Sequence, residues 1–186
     1  MLIDPLVDQL QRISDSTYPT ATMKTVLETE LALGFPLPPL LRELYLHIGN
    51  GGYGPADCTL IGLRGGHEYI GQDLVALYSD FRKWADVTYL IEGQMSSLWP
   101  ERLLPVFLWP CTIYTCLDCS RPEVSIYILD TNFIKDEEEH VPCPLIKHKD
   151  SLHSWLAAWW VGEDLWSEMD HLTNEVAREM TGMRGS

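Results

Sequence analysis

Apolar positions recur every three or four residues towards both ends of the chain and run almost uninterrupted in its middle, and this change of period marks out the elements. Leu6, Val7, Leu10 and Ile13 predict a short amphipathic helix that ends before Ser16 and Pro19. A second helix, capped by Thr20 or Thr22, carries Val26, Leu27, Glu30 and Leu31 and is stopped by Gly34, with Phe35 placed to fold back onto its last turn. Leu40, Leu41, Leu44, Tyr45 and Ile48 define a third helix, with Pro38 and Pro39 suited to its first turn. Gly49 is expected to close that helix in a left-handed conformation. Asn50 and Gly51 tolerate positive φ, and Pro55 prevents a new helix from starting.

Residues 59–63 are short, apolar and bounded by turn residues, which predicts a strand, and Gly65, Gly66 and Gly71 mark a loop. Leu74, Val75, Leu77, Tyr78, Phe81 and Trp84 then predict a helix over 72–84, capped near Asp73. Three β-rich runs follow, at 104–109, 112–118 and 124–130, with a short fourth near 145–147; their close succession predicts an antiparallel meander. Ser151 or Asp150 caps a helix containing Leu152, Trp155, Leu156, Trp159 and Trp160, broad enough on its apolar face to cover the meander. Leu165, Met169, Leu172, Val176 and Met180 continue as a stripe on a charged segment. That stripe suits internal packing or a dimer seam, so monomer and homodimer both stay open.

At 186 residues and 46% hydrophobic content, one domain burying about 70% of its unfolded surface is expected. No apolar run approaches the roughly 20 residues of a membrane span, and Met1-Leu2-Ile3-Asp4-Pro5 lacks the pattern of a signal peptide, so a cytoplasmic location is expected. The five cysteines, Cys58, Cys111, Cys116, Cys119 and Cys143, fit reduced core thiols. Cys116-x-x-Cys119 with Cys111 or Cys143 has zinc-like spacing, but a second pair is missing and neither His140 nor His148 has an i,i+4 partner. No metal and no cofactor are therefore expected. A net charge of −14 opposes nucleic-acid binding and suits either a basic protein partner or simple solubility.

Gly49, Gly51 and Gly54 match the G-x-G-x-x-G spacing of dinucleotide loops. That loop needs a strand before it and a helix after it, and here the order is reversed. There is no G-x-S-x-G, no P-loop lysine and no H-E-x-x-H, since His67-Glu68 is followed by Tyr69-Ile70-Gly71. Asp118 and Asp130 end successive runs, where aspartate usually caps a turn. A cysteine acting with His and Asp brought together in space remains the enzymatic alternative.

Three motifs in order resemble the SUKH superfamily, the Smi/Knr-type domain of fungal cell-wall assembly regulators and bacterial immunity proteins. The first is the segment from Glu28 to Gly34 with Leu37-Pro38, Leu40 to Ile48 and Asn50-Gly51-Gly52. The second is Trp99-Pro100-Glu101-Arg102-Leu103-Leu104-Pro105-Val106 with Tyr114-Thr115-Cys116-Leu117-Asp118. The third is Ser151-Leu152-His153-Ser154-Trp155-Leu156. The chain departs from the family at Trp109-Pro110-Cys111, where a glycine-bearing turn is common, and in the stripe after Trp160, which extends past the typical domain.

The expected fold is α+β: a single domain with an antiparallel, strongly bent sheet flanked by N-terminal and C-terminal helices. It divides into an N-terminal helix (1–20), the Smi/Knr-type domain (21–161) and a helical extension (162–186). The resemblance implies a non-enzymatic protein-binding domain, expected to be an immunity-type protein that neutralises a cognate toxin, with a basic, nuclease-type toxin as the partner that suits the acidity. A regulatory scaffold without a toxin is the alternative, and a cysteine-dependent enzyme the remote one. Partner contacts are expected at an exposed rim of Asn50, Gly51, Gly52 and Tyr53, and at the acidic run Asp136, Glu137, Glu138 and Glu139, which is expected to be a solvated loop.

Overall fold

A computed structural model describes residues 3–91, 94–97, 99–133 and 145–183. Helix α1 (Pro5–Gln11) begins where the Asp4 carboxylate accepts the Leu6 N–H at 2.8 Å and Pro5 supplies a preset φ. Helix α2 (Met23–Leu33) is capped by the Thr22 hydroxyl, which accepts the Thr25 N–H, and ends on Gly34 at φ 81°. Helix α3 (Pro39–His47) opens on two prolines. Strand β1 (Thr59–Leu60) precedes helix α4 (Leu74–Phe81), whose cap is Asp73, and a 3₁₀ turn at Arg82–Trp84.

Strands β2 (Thr88–Ile91) and β3 (Gln94–Ser97) pair as a hairpin of their own. The main sheet contains β4 (Leu103–Trp109), β5 (Ile113–Asp118), β6 (Ile126–Asp130) and β7 (Leu145–Lys149) with β1, in the order β1-β4-β5-β6-β7, every pair antiparallel. The fold is α+β with an open antiparallel sheet, as expected. Register shifts between Pro105 and Phe107, because a proline in a central strand has no N–H for the ladder and belongs at a bulge. The Val106 carbonyl, freed there, accepts the Ile61 N–H at 2.9 Å.

Helix α5 (Leu152–Trp160) starts with a Ser151/Ser154 capping box, and α6 (Leu165–Met183) begins where Asp164 accepts the Ser167 N–H at 3.0 Å. Phe107 packs on Trp155 of α5 with ring centroids 4.7 Å apart. Tyr114, paired across from Leu108 and so on the other face, meets Phe81 of α4 at 5.0 Å. Both faces are thus covered, which accounts for the almost unbroken apolar run of β4.

Several expectations are corrected. Leu27 and Leu31, counted with the second helix's apolar set, are 55% and 85% exposed, because Val26, Thr29 and Leu33 form the inward face instead. Ile13 is exposed because α1 ends two residues before it. Helix α3 ends on Ile48 in right-handed geometry, and Gly49 is not left-handed. It must lack a side chain because a Cβ there would lie 2.2 Å from Ser16 Oγ. The left-handed positions are Gly51 and Gly52, at φ 83° and 80°; Asn50 has no positive φ.

Leu165, Met169 and Thr173 are buried, and Trp166 packs on Trp109 at 5.8 Å, so the first half of the C-terminal stripe packs internally. Among the described residues, no helix is long and apolar enough to cross a membrane.

Candidate functional site

The turn after α3 is organised around Asn50. Its Oδ1 accepts the Leu63 N–H at 2.8 Å, and its Nδ2 donates to the Leu63 and Arg64 carbonyls, each at 3.4 Å. Its backbone N–H donates to Pro19 O and its carbonyl accepts from His67, at 3.0 and 2.9 Å. One residue therefore ties the α1–α2 linker and α3 to the loop that follows β1. Gly62 donates to the His67 carbonyl at 2.7 Å and accepts from Leu74 at 2.9 Å, so the loop base is also fastened to the start of α4.

The aromatic neighbours act in the same way. The Tyr45 hydroxyl donates to the Ile61 carbonyl at 2.6 Å, and the Tyr53 hydroxyl donates to the Leu44 carbonyl at 3.1 Å. Burial raises both phenol pKa values far above the ordinary range, so neither ionises near neutrality.

Asn50 and Tyr53 are each 5% exposed, Gly51 is buried and Gly52 half-buried, which corrects the expectation of an exposed rim at Asn50, Gly51, Gly52 and Tyr53. The reason is that a buried turn must satisfy its backbone groups, and the Asn side chain faces inward to do so. Asp136, Glu137, Glu138 and Glu139 lie outside the described residues, as do His140 and Cys143.

What the brace supports is a tight turn at the surface. Tyr69 and Gln72 exchange two backbone hydrogen bonds of 2.9 Å, and the two residues between them, Ile70 and Gly71, both have positive φ, 51° and 73°. Ile70 is 81% exposed. The Tyr69 ring stands edge-on to buried Tyr114, with centroids 6.3 Å apart. Gly71 marks a loop in the sequence, but the tight turn itself has no sequence signal, since a β-branched residue is the least expected at its first position.

The thiols have structural settings. Cys58 and Cys116 are buried, and desolvation raises both well above the usual thiol range; Cys119 is pushed up to about 12 by burial, with the Asp118 carboxylate adding to it. The Cys116 thiol lies 3.9 Å from the Tyr114 carbonyl and the Cys119 thiol 3.7 Å from that of Leu117. No three His, Cys, Asp or Glu side chains among the described residues are grouped to hold a metal ion.

Asp118 accepts from the Ser120 N–H and hydroxyl, and Asp130 accepts from the Asn132 backbone and side-chain amides, so each closes a turn. At the departure from the family's turn, Cys111 and Thr112 take φ 61° and 58° without glycine. Asn132 donating to the Cys111 carbonyl at 2.8 Å and Thr131 donating to that of Thr112 at 2.9 Å hold them there.

Glu30 of the first motif also has a place in this frame. Glu30 accepts the Leu37 N–H at 2.8 Å and the Arg42 guanidinium at 2.5 Å, locking the proline-rich entry to α3 against α2. The model of the SMI1 / KNR4 family (SUKH-1) matches residues 20–158, from the Thr22 cap through the Asn50 brace and the meander to α5. The chain belongs to this family. No curated protein matches it. SUKH-1 membership places the chain among immunity-type and Smi1-type proteins, a family of generally non-enzymatic domains that bind protein partners. In this SUKH-1 chain the Asn-Gly-Gly motif is an internal brace, and the surface it supports is the turn bearing Ile70.

Proposed function

We propose that this SUKH-1 protein is a cytoplasmic, non-enzymatic immunity protein that neutralises a cognate toxin by covering its active surface. The observation that carries the reading is a net charge of −14 on a domain of a protein-binding family. Toxins that act on nucleic acid need basic clefts, and an acidic partner both accelerates encounter with such a cleft and competes for it. The acidic run Asp136, Glu137, Glu138 and Glu139 is the proposed electrostatic contact. Replacing these four with lysine should slow association with the cognate toxin domain, sought among the neighbouring genes, by about tenfold at low salt and flatten its salt dependence. An unchanged rate and salt slope would overturn the contact assignment.

A further inference from the structure

We infer that Ile70 is the apolar anchor of the partner-docking face, built to enter an apolar pocket bordered by basic residues on a protein partner. The inference deepens the proposed function and takes its class of partner from it.

Two separate disadvantages meet at Ile70. Its φ of 51° is a conformation that Asn, Asp or Gly accept readily and β-branched residues resist. Its side chain is 81% exposed, so no burial within the chain offsets that strain. A folding requirement at this position would be met better by Asn or Gly, so the fold does not account for isoleucine. A partner that buries the side chain does.

Leu31 is as exposed but sits in relaxed helix, where a single surface apolar residue needs no explanation.

The turn is also held rigidly, as an anchor requires. It is closed by the paired bonds of Tyr69 and Gln72 and backed by the Tyr69–Tyr114 ring contact. At its base, Gly62 is fastened to His67 and Leu74, and Asn50 to Leu63. Ordering costs on binding are therefore low. Charge gives the rim of the pocket: Glu68 and Asp73 flank the turn on a chain of net charge −14, which suits a basic border around the pocket.

The test compares wild type with Ile70→Asn against a cognate toxin domain, sought among the genes that neighbour this chain's own. The variant should melt no lower than wild type, because Asn suits the turn, yet bind the toxin domain at least tenfold more weakly. Equal affinity would overturn the inference while leaving toxin neutralisation standing.

A second arm applies if no such toxin domain is found or wild type does not bind it. A photo-crosslinking phenylalanine derivative is placed at position 70 or at the exposed control position Val161 in growing cells. A protein joined at 70 but not at 161, and which when purified prefers wild type over Ile70→Asn by at least tenfold, supports the anchor without the toxin reading. No adduct at 70, the same adduct at both positions, or no such preference overturns it.

Discussion

The side-chain oxygen of Asn50 accepts the backbone N–H of Leu63 across the interior at 2.8 Å, and this bond makes a motif that reads as a surface turn into a brace between α3 and the loop after β1. Removing it leaves a buried N–H without its acceptor. Asn50→Ala should therefore lower unfolding free energy by about 1–3 kcal/mol in urea titration. Gly66→Ala should also be destabilising, because a Cβ there would lie 2.2 Å from the Asn50 carbonyl oxygen. A neutral Asn50→Ala would mean that the brace does not hold the loop.

Acid should destabilise the protein through His148. Its imidazole, on β7 beneath α6, is fully buried, with Glu168 at 3.5 Å and Lys149 paired to that same carboxylate at 2.7 Å. Burial pulls its pKa below the usual value of about 6.5; Glu168 opposes the shift and Lys149 reinforces it. His67 is lowered by burial as well. A histidine that titrates lower when folded binds fewer protons than in the unfolded chain. Its contribution is present above about pH 6.5, declines as the pH falls below that value, and levels off below the folded pKa. Stability measured between pH 8 and 5 should follow this course, and His148→Gln should shallow it.

The thiol settings predict a selective labelling pattern. Cys111 is exposed, whereas Cys58, Cys116 and Cys119 are held protonated by burial. Iodoacetamide near neutral pH should modify Cys111 in the native protein and reach the other three only on unfolding, as peptide mapping would show. Rapid native alkylation of Cys58, Cys116 or Cys119 would revive the cysteine-enzyme alternative.

Phe81 is the hub of an aromatic cluster, meeting Trp84, Trp99 and Tyr114 at 4.8, 4.9 and 5.0 Å. Phe81→Ala should cost about 3–5 kcal/mol, and more than truncation of exposed Leu31, by thermal or chemical denaturation.

What was legible in the sequence, and what was not, follows from the range of the forces involved. The meander could be read because the runs behind β4, β5 and β6 are apolar and closely spaced. The Asp73 cap could be read, and Thr22 and Ser151 each as one of two candidates beside Thr20 and Asp150, because capping chemistry is local. The pairing of β2 with β3 is not among the expected elements, although Glu92-Gly93 in the sequence between them is a hairpin signal. The inward direction of Asn50 and Tyr53 was not readable, since Asn-Gly-Gly-Tyr has the composition of a solvated turn and its main side-chain partner, Leu63, is 13 residues away. Leu27 and Leu31 mislead because Val26, Thr29 and Leu33 form a competing stripe in which one inward residue is polar. Ile70 left no trace because a positive φ at a β-branched residue goes against every local preference.

The most direct test of the central claim is growth of cells that express a candidate toxin domain sought among the genes that neighbour this chain's own, with and without the chain, together with titration calorimetry of the purified pair. Neutralisation by direct binding predicts restored growth and a stoichiometric complex whose affinity falls steeply with added salt. Continued killing in the presence of folded chain, with no complex in the calorimeter, would contradict it.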